Sequence, residues 1–113
     1  MMDYSKLSDK EINKQVSFAL GCKEVMPDIF MDDNRRYEFD KPKKRSGNQF
    51  YFDPCNNPAD AWPIITSSRI GIVPGTATDK WAAHHGDWDI AIADVNPLRA
   101  AMIIFLMMQD SRK

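Results

Sequence analysis

Cysteine is scarce in this sequence, with only Cys22 and Cys55 among 113 residues. Two cysteines cannot build a disulfide framework, and this pair lacks the Cys-x-x-Cys spacing of structural zinc sites. Long hydrophobic runs are missing as well. The longest, Ala100–Met108, has nine residues, and at about 1.5 Å per residue it covers about half of a bilayer core of roughly 30 Å. The sequence therefore predicts neither a disulfide scaffold nor a zinc ribbon nor a membrane span.

The chain also lacks an excess of charge of either sign, with 15 basic residues, 16 acidic residues and a net charge of −1. No global field favours nucleic acid or an anionic membrane, so such a partner would need a local patch. The first residues, MMDYSKLSDKEI, contain no apolar signal-peptide core. We therefore expect a cytoplasmic protein whose cysteines remain thiols in a reducing compartment.

Apolar material is sufficient for one folded domain. Hydrophobic residues make up 43% of the chain and charged residues 27%, which is close to the composition of ordinary globular proteins. A length of 113 residues fits one domain, which we place over residues 1–113.

The first predicted helix has the clearest signal. Ser8 as the N-cap and Glu11 three residues later form a capping box. Apolar residues then recur at helical spacing, and Gly21 provides a stop. The pattern predicts an amphipathic helix over Asp9–Leu20.

A second helix is predicted where asparagine can cap a helix and proline can take its first position, at Asn57 and Pro58. It is short and lies near Pro58–Ser67. Pro63 falls inside it, so either a turn ends at Trp62 or Pro63 starts another helix.

A third helix is predicted from Asn96 and Pro97 to about Gln109. The segments NPADAWPII and NPLRAAMII share Asn, Pro, Ala, Ile and Ile at equal offsets, which reflects either an internal duplication or the same helix start used twice. From Ala100 to Met108 this helix is apolar on every face, as helices buried all round are. It either forms the centre of the fold or turns a methionine-rich face to a partner.

Short strands account for much of the remainder, and two of them flank Gly86 as a hairpin. The predicted strands are Arg36–Asp40, Gln49–Asp53, Arg69–Val73, Trp81–His85 and Asp87–Ala93. We expect an α+β fold in which an antiparallel sheet of about four short strands is covered by the N-terminal and C-terminal helices, with a short middle helix.

Candidates for catalysis are few. Cys55 precedes a predicted helix start, where a thiol pKa can fall, and His84 or His85 could serve as its base. The alternative is a small buried hydrophobic side chain. Adjacent histidines on a strand point to opposite faces and so rarely share a metal ion. We expect no metal, no cofactor and a protein that is not an enzyme, with a small enzyme using these side chains as the alternative.

The strongest local charge is basic. Six basic and two acidic residues occur over Arg35–Tyr51, and the basic loop Lys41–Arg45 supplies Lys41, Lys43, Lys44 and Arg45. Nearby aromatics, including Tyr51, could stack on bases while these cations contact phosphates. The alternative is a solvated hairpin tip.

Three segments resemble the NinX family of small proteins from lambdoid phages and their prophages. They are MDYSKLSDKEINKQV, FDPCNNPADAWPII and NPLRAAMIIFLMMQDS, about two-fifths of the chain. The basic loop and the stretch after Val73 lie outside this resemblance. The residues that carry the motifs, without an assigned role, include Asp53, Pro54, Asn57, Pro58, Asp60, Trp62, Pro63, Asn96, Pro97 and Arg99.

The resemblance implies a phage accessory protein in a bacterial cytoplasm and supplies no catalytic residues. We expect it to act by binding a phage or host macromolecule. The alternative is a nucleic-acid-binding module that uses the basic loop Lys41–Arg45. Weak contact with nucleic acid and self-association into a homo-oligomer are also compatible with the sequence. Two aspartates of the chain are explained by helix starts without any catalytic role, because Asp60 lies in the first turn of a predicted helix and Asp94 precedes another.

Overall fold

A computed structural model of the chain describes residues 3–26, 29–31, 49–75, 79–86 and 90–111. A short 3-10 helix, Tyr4–Lys6, comes first. The elements that follow are α1 (Asp9–Ala19), β1 (Lys23–Met26), β2 (Ile29–Met31), β3 (Gln49–Tyr51), α2 (Pro58–Ser68), β4 (Ile70–Pro74), β5 (Trp81–His85), β6 (Ile90–Asp94) and α3 (Pro97–Ser111).

The described strands form two antiparallel sheets of three, in the orders β1-β2-β3 and β4-β5-β6. The α+β class is therefore confirmed, but the strands divide between two sheets where the sequence predicts one of about four. The first sheet includes β1 and β2, which the sequence does not predict because four- and three-residue strands are too short to show alternation. The predicted strand Arg36–Asp40 lies outside the described residues.

The predicted caps of α1 are present. Ser8 Oγ accepts a hydrogen bond from the Glu11 backbone N–H at 3.2 Å, and its hydroxyl donates to the Glu11 carboxylate at 3.4 Å. At the other end Gly21 has φ 92°, and the Cys22 N–H donates to the Ser17 carbonyl at 2.9 Å. This is the hydrogen bond of a Schellman ending, which satisfies a carbonyl of the last turn.

Helix α2 continues through Pro63, so neither alternative for a break there is correct. Proline has no N–H for the carbonyl four residues earlier, but that residue, Ala59, is exposed and water can reach it. The apolar face holds the helix against the core, since Ala61, Ile64 and Ile65 are buried. Burial of this face outweighs the local cost of the proline.

Helix α3 is the centre of the fold, which confirms central burial over an exposed partner face. Every residue from Ala100 to Leu106 is buried, and so is Met108. Helices α1 and α2 contact α3, as do all three strands of the second sheet. Near its end the Tyr4 hydroxyl donates to the Asp110 carboxylate, which ties the 3-10 helix to α3.

The hairpin predicted around Gly86 is also present, with β5 and β6 paired in register from Trp81–Asp94 to His85–Ile90. On the other side of β5, Gly71 lies opposite His84. A Cβ atom at position 71 would stand 2.2 Å from Nε2 of the His84 ring. Glycine at this position is therefore what lets the imidazole lie across the neighbouring strand.

Central burial of α3 predicts that a charge on either of two faces will unfold the protein. Ile104 and Phe105 are 0% and 5% exposed and lie about 100° apart around the helix. Ile104→Asp and Phe105→Asp should both lose the folded circular dichroism spectrum, because an unpaired buried carboxylate is very costly. Val95→Asp is the control, because Val95 is 61% exposed, and it should remain folded. A folded Ile104→Asp protein would contradict the packing.

Candidate functional site

A network of hydrogen bonds joins three places in the fold: the start of α1, the turn between β3 and α2, and the start of α3. We call it the junction. Each of the three segments that resemble NinX proteins contributes to it. Its members are Asp9, Asn13, Asp53, Cys55, Asn56, Asp60, Asp94, Asn96 and Arg99.

Arg99 is the cation of the junction. Its guanidinium donates to Asp9 Oδ1 at 2.7 Å and to Asp94 Oδ2 at 3.2 Å. It also donates to the backbone carbonyls of Ser5 and Leu7 at 2.9 and 2.7 Å. Four acceptors from two segments, Ser5–Asp9 and the end of β6 at Asp94, thus bind a side chain that is only 13% exposed. Its planar set of donors suits this geometry, which a lysine could not reproduce.

The turn before α2 is held by Asn13 of α1, which is 4% exposed. Its amide donates to Asp53 Oδ1 at 2.7 Å, and its carbonyl oxygen accepts from the Cys55 N–H at 3.1 Å. Within the turn, the Asp53 N–H donates to Asp60 Oδ2 at 2.7 Å. Asp60 is 2% exposed. It is therefore a buried tie between turn and helix as well as an acid in a first turn.

Both Asn-Pro pairs act as helix starts. Asn57 Oδ1 accepts from the Ala59 N–H at 3.0 Å, and Asn96 Oδ1 accepts from the Leu98 N–H at 2.9 Å. Asn96 has a second task, because its amide donates to the Cys55 carbonyl at 2.6 Å. The same cap thus occurs twice, and helix capping is sufficient to explain the repeated Asn-Pro pair.

Cys55 does not have the environment of a nucleophile. Its side chain is fully buried, and its thiol donates to the Asp9 carbonyl at 3.8 Å. Burial, followed by the nearby Asp9 carboxylate, raises the pKa of Cys55 to about 12. A reactive cysteine needs a lowered pKa, so this thiol matches the alternative of a small buried side chain.

The other residues singled out in the sequence are dispersed. Pro54 is buried, whereas Trp62 is 62% exposed on α2. His84 and His85 pair with Gly71 and Ile70 on adjacent positions of β5, and so point to opposite faces of the second sheet. Pro58 and Pro97 are the first residues of α2 and α3. The basic loop Lys41–Arg45 lies outside the described residues.

A cleft of about 180 Å³ opens beside the junction, between α1 and the end of β3. Its lining combines carboxylates, amides, a lysine and aromatic rings. The lining residues are Asp9, Lys10, Asn13, Tyr51, Phe52, Asp53 and Asn56. Tyr51 is 54% exposed, but Phe52 is 1% exposed and packs edge-to-face on Phe30 with ring centroids 5.7 Å apart.

The junction sits in the part of the chain that a known family describes. The family model for bacteriophage P22 NinX matches residues 3–109. The chain belongs to the NinX family. No curated protein sequence matches it. Membership in the NinX family indicates a phage accessory protein. In this NinX chain, hydrogen bonds from the motif residues of the junction hold its segments together.

Sequence reasoning missed three members of the junction. Asp9 and Asn13 are four residues apart and so share one face of α1, and Asn56 lies in the turn itself. Their partners are distant in the chain, since Asn13 and Asp53 are separated by 40 residues. The only available signal was their position inside the NinX-like segments.

Among the described residues, no group of three or more His, Cys, Asp or Glu side chains is placed to hold a metal ion. In that same part of the chain, every helix is too short or too polar to cross a membrane.

Replacement of Arg99 should be strongly destabilising. Arg99→Ala leaves Asp94, whose side chain is 17% exposed, without its cation, and we expect a loss of about 3 kcal/mol in the free energy of unfolding. Arg99→Lys should recover less than half of this. Urea denaturation measures both. The control is Lys14→Ala, because the Lys14–Glu24 pair at 3.3 Å is exposed and should contribute below about 1 kcal/mol. Equal losses at both sites would refute the special role of Arg99.

The raised pKa of Cys55 predicts a loss of stability in alkali. An unfolded thiol titrates near about 8.5, whereas the folded one titrates at about 12. The contribution is complete below the first value and is lost as pH rises toward the second, by at most about 1.4 kcal/mol per pH unit. Cys55→Ala should therefore show a shallower decline from about pH 8.5 to 10 in urea denaturation. Parallel declines for the two proteins would contradict a buried neutral thiol.

Proposed function

We propose that this NinX protein is a non-catalytic phage accessory protein that binds a phage or host macromolecule through the outer face of its first sheet. The observation that supports the proposal is a row of side chains across β1, β2 and β3, in which Met26 and Tyr51 are exposed and Ile29 is half-buried. Met26 pairs with Ile29, and Ile29 pairs with Tyr51. Directly opposite residues project from the same face of a sheet, so the three side chains form one row.

The exposure of this row is what points to binding. Met26 is 58% exposed and Tyr51 is 54% exposed, while Val25 beside them is 40% exposed. Phe30, on the opposite face, is 1% exposed and belongs to the core. Methionine and tyrosine are common in protein-binding surfaces. The outer face of the first sheet consists, for this proposal, of Met26, Ile29 and Tyr51.

The polar side chains support a non-catalytic role. Arg99 and Asn13 are largely occupied by bonds within the junction, and the pKa of Cys55 is raised to about 12. The small enzyme based on Cys55 or the two histidines is therefore the least favoured function. The bacterial cytoplasm is the compartment that this proposal requires.

A nucleic-acid partner is the second candidate, and the exposed ring of Tyr51 favours it. Base stacking on an aromatic ring is tolerant of sequence, and basic side chains nearby bind the phosphates. Arg45 precedes Gln49, at the start of β3, by four residues, a contour length of about 14 Å. Lys41, Lys43 and Lys44 precede Arg45 in the sequence.

Affinity capture from phage-infected bacteria tests the proposed surface. Tagged wild-type protein should retain a specific macromolecule that Met26→Ala/Tyr51→Ala loses. Trp62→Ala/Val95→Ala is the matched control, because it removes two equally exposed apolar side chains elsewhere, and it should retain the partner. Loss on nuclease treatment would support the second candidate. If both double variants retain the same partner at wild-type levels, the first sheet is not the binding surface.

A further inference from the structure

The cleft beside the junction is lined by the carboxylate of Asp53, one oxygen of which accepts only a long hydrogen bond. Asp53 Oδ1 accepts from Asn13 at 2.7 Å and from Asn56 at 3.2 Å. Asp53 Oδ2 receives a single longer bond, 3.4 Å from the Asn56 amide, among the described residues. An ionised carboxylate only accepts, with room for about four hydrogen bonds over its two oxygens. The cleft therefore has capacity for a ligand that donates.

An aromatic ring forms another wall of the same cleft. Tyr51 lines it and is 54% exposed, so its ring is accessible for stacking. The strand that carries it is anchored by Phe52, the next residue, whose ring packs against Phe30 in the core. A stacking platform that is fixed in this way loses little freedom when a ligand binds.

Cations and carboxylates both lie at the cleft. The Asp9 carboxylate is paired with Arg99 at 2.7 Å, and Lys10 lines the cleft. Because Arg99 also pairs with Asp94 at 3.2 Å, three carboxylates lie near these two cations, and the base is the part of a nucleotide that the cleft would recognise. The volume of about 180 Å³ is also far above the roughly 10–15 Å³ that holds one water molecule. The cleft therefore has more room than a single water molecule needs.

We propose that this cleft binds a guanine base, with the base stacked on Tyr51 and its Watson–Crick edge donating to Asp53. This inference rests on the nucleic-acid candidate above and names the group that it would recognise. Guanine is the base selected by the chemistry, because its ring N–H and its exocyclic amino group are adjacent donors that can converge on Asp53 Oδ2 in place of the 3.4 Å bond from Asn56.

The other bases match this acceptor less well. Adenine and cytosine each present an amino donor next to a ring nitrogen that accepts, and thymine presents one donor between two carbonyl acceptors. Each of these bases would place an acceptor, a ring nitrogen or a carbonyl oxygen, against the carboxylate of Asp53. The lone pairs of both groups would then lack a donor. Stacking on Tyr51 would remain for all four, so the discrimination should come from Asp53.

Binding of short thymidine oligonucleotides that carry one central guanine, inosine or adenine tests the subsite. Fluorescence anisotropy at low salt should give about tenfold tighter binding for guanine than for adenine, with inosine between them because it lacks the amino group. Tyr51→Ala should weaken binding of the guanine oligonucleotide about tenfold. Asp53→Asn, which replaces Oδ2 by an amide donor, should abolish the preference. Trp62→Ala, at an equally exposed aromatic outside the cleft, should bind like the wild type.

Two results separate failure of the subsite from failure of nucleic-acid binding. Equal affinity for all three oligonucleotides, or a guanine preference that survives both Tyr51→Ala and Asp53→Asn, would overturn the subsite while nucleic-acid binding stands. If no oligonucleotide binds, calorimetry with GMP decides. GMP binding that Tyr51→Ala removes would support the cleft with a free nucleotide as its ligand, and absence of GMP binding would overturn it. Circular dichroism of each variant confirms that it is folded.

Discussion

A fifteen-residue helix with no polar face over most of its length must be covered on every side, and the rest of this fold is arranged to cover it. The second sheet packs along α3, while α1 and α2 cover other sides. A chain of 113 residues has few elements with which to cover this helix. Of the two described sheets, the second lies along α3. The first sheet pairs instead with α1 and keeps an apolar outer face.

Coverage of α3 creates a second requirement at its start, where several helix and turn ends meet. Helix starts present unpaired N–H groups, and turn carbonyls need donors. The junction meets these requirements with asparagine caps and the guanidinium of Arg99. The three NinX-like segments of this chain therefore supply residues that organise backbone ends. Such residues report on the fold, and an activity has to be sought in the side chains that the junction leaves exposed.

Features that depend on residues close together in the chain could be predicted from the sequence, whereas features that depend on distant residues could not. The capping box at Ser8 and the stop at Gly21 act within a few residues, so α1 was predicted to within one residue of its end. The hairpin of β5 and β6 around Gly86 likewise depends on residues that are close together in the chain. Pro63 was misjudged because its cost is local, whereas the burial of Ile64 and Ile65 that offsets it is tertiary. Asn13 was missed for the same reason: its partners Asp53 and Cys55 lie more than 35 residues away.

The contact between Gly71 and His84 has an evolutionary consequence. The His84 ring of β5 occupies the space beside β4 that a side chain at position 71 would otherwise fill. A larger side chain at position 71 can be accommodated only when position 84 gives up that space. Substitutions at these two positions should accordingly appear as exchanges, with bulk moving from one strand to its neighbour, and a chain that carried bulk at both would have to shift the register or separate the strands.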